Sequence, residues 1–269
     1  MSPDAVFVAF DVETTGLIAG VDRVVELAAV AFCGDRVVDA CSTLVNPGIP
    51  MPAPVIGVTG ITDDLLVGAP AAADALPGFI ALLGRGVPVA HNAVFDVGFV
   101  FSEARDAGLG LPAGPVLDTR GLARAAFPGR FSYGLGALAR DLHLEAAGAH
   151  RALADAHSCR SLFQACREKL AAEGASTVAD LARLSGRPLD FLEHAPRQPH
   201  VARLMKRAID AGSGLHITYR SVDGETTERL IMPLSFTCVG GSPAVTAFCT
   251  LRNEDRTFLL GSISEVHEP

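Results

Sequence analysis

Phe7-Val8-Ala9-Phe10-Asp11-Val12-Glu13-Thr14-Thr15-Gly16 sets two carboxylates, two residues apart, at the end of a short apolar run. The run predicts a strand over residues 5–11, and on a strand residues i and i+2 share one face. Asp11 and Glu13 are therefore expected side by side, with like charges that repel. Acidic residues are depleted in strands, and a carboxylate withdrawn from water is costly unless paired or bound to metal. A divalent cation is the simplest agent that makes the pair tolerable, so metal-assisted chemistry is the first expectation.

Working outward, residues 24–33 and 36–45 read as two more strands, joined at Gly34-Asp35. That joint is too short for a crossover, so the first three strands should be antiparallel. A Pro-rich connection covers 46–56. Beyond it, helical patterns over 73–84, 93–107, 119–126, 134–142 and 152–172 alternate with short apolar strands at 87–90 and 116–118. Strands followed by alternating strands and helices predict an α/β fold, a mixed five-stranded sheet flanked by helices. Residues 174–199 hold one short helical piece (178–184) among Gly and Pro and read as a linker. From 200 the pattern is a helix and then short strands with turns at Asp223-Gly224, Gly240-Gly241 and 253–255, which predicts a small all-β barrel. The expected domains are thus 1–173 and 200–269.

The chain has 269 residues, 49% of them apolar and 19% charged, enough for a sizeable core. No apolar run approaches the roughly 18 residues of a membrane span. Met1-Ser2-Pro3-Asp4 lacks the features of a signal peptide. Six scattered cysteines without a Cys-x-x-Cys read as reduced thiols of a cytoplasmic protein, not as a disulfide framework or zinc site. The net charge of −8 argues against a broad basic surface for duplex DNA.

Further polar clusters sit at element ends, where functional residues of α/β sheets collect: His91-Asn92-Ala93-Val94-Phe95-Asp96, Asp118-Thr119, and His150-Arg151-Ala152-Leu153-Ala154-Asp155. Asp11, Glu13, Asp96 and Asp155 with His150 form a self-consistent set. Oxygen donors favour hard cations, Mg²⁺ or Mn²⁺, over zinc. Two such ions can stabilise both the attacking and leaving oxygens of a phosphodiester displacement, and a His suits deprotonation of the attacking water. Each residue has a plainer reading alone: Asp96 and Asp155 as first-turn helix acids, His150 as a loop residue, His91 as turn support, and Arg120, Arg124, Arg130, Arg140 and Arg151 as solvated surface. Asp118 reads either as support for the site or as a helix cap.

In order and spacing, Asp11-Val-Glu13-Thr-Thr-Gly16, His91-Asn-Ala-Val-Phe-Asp96 and His150-Arg-Ala-Leu-Ala-Asp155 resemble the three motifs of the DEDDh exonucleases, a family that includes the proofreading subunit of bacterial DNA polymerase III and ribonuclease T. The resemblance covers about residues 4–170. It implies an RNase H-like fold and 3′→5′ removal of nucleotides from single-stranded DNA or RNA ends. It implies Asp11, Glu13, Asp96 and Asp155 as ligands of two Mg²⁺ or Mn²⁺ ions and His150 as general base. It also implies a pocket for the terminal nucleotide around Thr14, Thr15, Leu17, Ile61 and Phe95, and a link to a DNA polymerase or another replication or repair protein.

The C-terminal stretch, through Ile217-Thr-Tyr219, Gly224, Arg229-Leu-Ile-Met-Pro233, Ala247-Phe-Cys249 and Asp255-Arg256-Thr-Phe258, resembles a WYL domain, a small Sm- or SH3-like barrel. That resemblance makes Tyr219, Arg220, Arg229, Arg252 and Arg256 candidates for an anion-binding face, although residues 200–269 hold seven basic and eight acidic residues. A second functional reading follows, a regulatory protein that binds nucleic-acid ends and uses the WYL-like unit as its sensor.

Overall fold

The computed structural model describes residues 5–144, 150–186, 188–192, 199–239 and 242–269. The chain divides into two compact units, Met1–Gly16 with Arg23–Ala195, and Leu17–Asp22 with Pro196–Pro269.

In the first unit β1 (Val6–Thr14), β2 (Val24–Cys33) and β3 (Arg36–Leu44) form an antiparallel meander. Helices α1 (Ala53–Thr59), α2 (Asp63–Leu66) and α3 (Ala72–Leu83) follow. Strand β4 (Val87–Ala90) then pairs parallel to β1; after α4 (Val94–Asp106), β5 (Leu117–Asp118) pairs parallel to β4. The sheet order is β3-β2-β1-β4-β5, the mixed five-stranded sheet expected from the pattern. Helices α5 (Thr119–Ala126), α6 (Leu135–Asp141), α7 (Ala152–Ala172) and α8 (Val178–Leu184) complete the unit.

Phe7 and Phe10, three apart on β1, fall on opposite faces of the sheet. Phe7 packs on Phe163 of α7 at 4.7 Å and Phe32 at 6.0 Å between ring centroids, and Phe10 meets Phe79 of α3 at 6.1 Å and Phe191 at 5.9 Å. Both faces are therefore covered, which explains why β2 is buried at nine of its ten positions. On α7, Ala152, Ala156, Cys159, Leu162, Phe163, Cys166 and Leu170 recur at helical spacing and are buried.

Two stretches differ from the sequence reading. Helix α1 starts inside the region read as a Pro-rich connection and runs past its end, and the short α2 follows it; Pro52 precedes the first turn of α1, where a proline costs no hydrogen bond. In the stretch read as a linker, α8 lies where the short helical piece was expected, with a capping box between Thr177 and Asp180, but the stretch contributes to the core. Leu181, Leu189 and Phe191 there are fully or nearly fully buried, and Val116 N–H donates to the Leu189 carbonyl at 2.9 Å. A Cβ on Gly121 would lie 1.8 Å from the Ser185 carbonyl oxygen, so α5 meets the end of α8 at glycine distance.

The second unit contains α9 (Pro199–Ala211), β6 (Leu215–Arg220), β7 (Thr226–Val239), β8 (Ser242–Cys249), β9 (Glu254–Leu259) and β10 (Ile263–His267) in an antiparallel sheet ordered β10-β6-β7-β8-β9. The all-β character was expected. Closure into a barrel is not seen, since no ladder among the described residues joins β9 to β10. β10 escaped the sequence reading because a bulge between Ile263 and Glu265 breaks its alternation, leaving Ile263 and Val266 as its buried positions. β7 runs past Pro233 by a second bulge. The expected turn at Gly240-Gly241 lies outside the described residues. Val201, Met205 and Ala208 of α9 pack with Ile217, Ile231, Val245, Phe258 and Ile263, and Ile18, only 3% exposed, belongs to this same core. No helix among the described residues is long and apolar enough to cross a membrane.

Candidate active site

Strand β1 delivers Asp11 and Glu13 as its period requires, with Val12 between them turned to the core. The first turn of α7 delivers Asp155. One oxygen from each of Asp11, Glu13 and Asp155 can be chosen so that all three lie within 4.8 Å of one another, an arrangement able to hold a metal ion. Asp96, in the first turn of α4, is 3% exposed and stands outside that trio. Its Oδ1 accepts the Val12 backbone N–H at 3.1 Å, so it is fastened to the strand between the two β1 carboxylates.

The crowding shows in the electrostatics. Burial, followed by the charges of Asp96, Asp155, Glu13 and Glu26, holds Asp11 well above the usual carboxylate range. Burial and the charges of Asp155 and Glu26 push Glu13 up to about 7 against the opposing pull of Arg151. Burial also raises Asp96 and Asp155; the Val12 N–H bond counteracts it at Asp96, and the His150 N–H bond and charge do so at Asp155. Carboxylates that each prefer a proton share a need for positive charge, and a divalent cation meets it.

His150 is exposed, and its backbone N–H donates to Asp155 Oδ2 at 3.1 Å. It adopts φ 64°, the left-handed region that non-glycine residues seldom occupy. His91 bridges Thr119 Oγ1 at 2.9 Å and the Tyr133 carbonyl at 3.0 Å, and burial lowers it to about 4, so it is a neutral brace for its turn. Asp118 caps α5 by accepting from Arg120 N–H at 2.8 Å and also accepts from Asn92 N–H at 2.9 Å, which secures the turn leading to Asp96.

Around the expected nucleotide pocket, Thr14 donates through its hydroxyl to the Gly16 carbonyl, and Thr15 exchanges bonds with Arg23 through its N–H and Oγ1. Phe95 is partly exposed and packs on Phe99 at 4.8 Å. Ile61 is fully buried with Val25, Met51 and Leu66. Leu17 falls in the second unit and is exposed. In that unit Tyr219 and Arg229 both face Phe258, at 5.1 and 5.9 Å from its ring, and Arg229 also donates to Thr227 and Cys249. Arg256 pairs with Glu254, and Arg220 and Arg252 are exposed.

The sequence reading missed Glu26. It is the register partner of Glu13 and only 2% exposed, and it is bonded to Arg151, which had been read as surface. A lone carboxylate inside the apolar run Val24-Val25-Glu26-Leu27 was the available signal.

Residues 8–163 match the family described as Exonuclease. The chain belongs to that family. Residues 200–268 of this exonuclease-family protein match the WYL domain. A PolC-type DNA polymerase III from Halalkalibacterium halodurans is 40% identical over 160 residues, which is 60% of this chain and 11% of the polymerase; the chain thus spans only a small share of such relatives. Exonuclease X, solved in complex with 5′-overhanging duplex DNA, is 26% identical with a TM-score of 0.54, over 68% of this chain and 99% of its own. Exonuclease I of E. coli, solved with a dA16 oligonucleotide, is 15% identical with a TM-score of 0.56, over 98% of this chain and 65% of its own, and shares the fold. The nuclease domain of 3′hExo, described as a DEDDh family member, is 18% identical with a TM-score of 0.53, and the first unit shares the fold of these exonucleases.

Proposed function

We propose that the protein is a metal-dependent 3′→5′ exonuclease that removes nucleoside 5′-monophosphates from single-stranded DNA or RNA 3′ ends. The observation that carries the reading is the convergence of Asp11, Glu13 and Asp155 within 4.8 Å, with Asp96 fastened to the same strand by Val12 N–H. Their oxygens and shared excess of negative charge fit Mg²⁺ or Mn²⁺. Bound by Asp11, Glu13, Asp96 and Asp155, two such ions would supply Lewis-acid stabilisation to the attacking and leaving oxygens. His150 takes the proton of the attacking water, for which its exposure and its tie to Asp155 suit it. Thr14, Thr15, Leu17, Ile61 and Phe95 form or back the pocket for the terminal nucleotide, and the partly exposed Phe95 ring offers a stacking surface.

In this reading residues 1–173 are the catalytic domain of a cytoplasmic enzyme, and 200–269 form an Sm/SH3-like module that receives an anionic ligand at Tyr219, Arg229, Arg252 and Arg256. Support for the module comes from the Tyr219–Phe258–Arg229 cluster and from the 3-10 turn that links β9 to β10. Association with a replicative polymerase or another repair protein is part of the proposal, suggested by the PolC-type relatives.

The test is a time course on 5′-labelled and 3′-labelled single-stranded oligonucleotides, DNA and RNA, with Mg²⁺ or with chelator. A descending ladder from the 5′ label, immediate mononucleotide release from the 3′ label and loss of both in chelator and in Asp11→Ala are expected. Undiminished turnover by pure Asp11→Ala sinks the assignment. Tight binding of ends without turnover favours the sensor reading.

A further inference from the structure

Glu26 is an unexpected group to find beside Glu13. Its charge raises Asp11, Glu13 and Asp155, so it adds to the crowding that a cation has to relieve. Both of its oxygens are engaged. Arg151 Nη2 donates to Oε1 at 2.9 Å, Arg151 Nε reaches Oε1 at 3.3 Å and Oε2 at 3.1 Å, and the Ala152 backbone N–H donates to Oε2 at 3.0 Å. Ala152 opens α7, and the N-cap residue Arg151 offers no side-chain cap of its own. A carboxylate from β2, 126 residues earlier in the chain, therefore does the work that a local Ser or Asp does at most helix starts.

A helix that needed only a cap could have one without a buried charge next to the site. What distinguishes this arrangement is the residue it brackets. His150 sits in the left-handed region and is tied on one side by its N–H to Asp155, and on the other by the anchoring of Arg151 and Ala152 to Glu26. Glu26 in turn is the register partner of Glu13.

We infer that Glu26 is a positioning residue: through Arg151 and the Ala152 N–H it fixes the backbone that carries His150 to the strand pair that carries Asp11 and Glu13. The position of the base is thereby referenced to the carboxylates. This rests on the reading of His150 as the general base.

The test crosses the clamp with the base. Arg151→Met keeps the aliphatic stem and removes the bonds, Arg151→Lys keeps the charge, and Glu26→Gln is the mild change on the other side. Each is made alone and on a His150→Ala background, with melting temperature and single-turnover rate on a single-stranded oligonucleotide measured in Mn²⁺. Misplacing a catalytic group by about 1 Å costs on the order of 100-fold, so Arg151→Met is expected to lower the rate by roughly 10- to 100-fold at nearly unchanged KM. Arg151→Lys should recover part of it. On the His150→Ala background the same substitutions should cost less than about 2-fold, because there is no base left to misplace. Losses that multiply, or a full rate in folded Arg151→Met and Glu26→Gln, overturn the inference while leaving the base assignment standing. Full activity of His150→Ala overturns the base assignment, and the inference with it.

Discussion

Replacing Asp11 by Asn should raise the stability of the metal-free protein while removing its response to metal. Asp11 faces the charges of Asp96, Asp155, Glu13 and Glu26. At a separation up to 4.8 Å, one pair of like unit charges costs about 1–3.5 kcal/mol between the effective dielectrics of water and of a protein surface. Glu13, held at about 7, and Asp11, itself raised by burial and its neighbours, take up protons and relieve part of this, so the lower half of the range, about 1–2 kcal/mol, is the expected gain. In a chain of this size that is a rise in melting temperature of roughly 2–8 °C.

The pH dependence has a definite sign. Burial and its acidic neighbours hold Glu13 at about 7 in the fold, above the ordinary carboxylate range that it has in the unfolded chain. The folded protein then holds more protons than the unfolded one between those values. The stability contributed by the raised group is complete below the unfolded value and is lost as pH rises through about 7. Asp11, raised in the same direction, adds to the trend. In chelator the wild type should therefore melt higher near pH 6 than near pH 8, and Asp11→Asn should show a smaller difference. Millimolar Mg²⁺ or Mn²⁺ should raise the wild-type melting temperature near pH 8, since a ligand of the native state at about 100 times its Kd adds about 2.7 kcal/mol, and should leave Asp11→Asn unmoved. Scanning calorimetry with and without chelator measures all of this. An Asp11→Asn protein that melts below wild type in chelator near pH 8 would refute the argument from repulsion.

Other consequences are simpler to read. Gly121→Ala places a methyl group 1.8 Å from the Ser185 carbonyl oxygen, and the backbone shift this forces should cost roughly 2–4 kcal/mol in a denaturant titration. A loss under half a kcal/mol would mean that α8 yields readily. Phe95→Ala should raise KM for a single-stranded oligonucleotide by about 5- to 100-fold, the worth of one base–aromatic stack, with a smaller effect on kcat; an unchanged KM would take Phe95 out of substrate contact.

The arrangement of the first unit was legible because it rests on local periodicities. Alternation put Asp11 and Glu13 on one face, and the tight Gly34-Asp35 joint fixed an antiparallel pair. What escaped depended on distant partners or broken patterns. Glu26 gains its meaning from a register with Glu13 and from Arg151, 125 residues away, neither of which a single strand discloses. Pro and Gly disguised α1, the four residues of α2 are too few to show a helical period, and a bulge disguised β10. Residues 174–199 read as a linker because Gly and Pro punctuate them, yet Phe191 reaches the ring of Phe10 at the centre of β1. The carboxylates were legible as a set, but their inequality was not: three converge, and Asp96 is fastened to the strand between two of them by its bond from Val12 N–H.

The six residues Leu17–Asp22 give the chain an unusual topology. They leave β1 directly after the Thr-Thr-Gly turn and return where Thr15 and Arg23 bond to each other, but Ile18 belongs to the core of the second unit. That unit is therefore discontinuous in sequence, and no single cut separates it from the first unit. Ending the chain near residue 174 or 195 would leave behind a stub of the removed core, with Ile18 stripped of its packing partners a few residues from Glu13. A protein shortened in this way would report the fate of an orphaned loop as much as the loss of a module. Clean dissection requires that Leu17–Asp22 be replaced by a short polar turn in the same step.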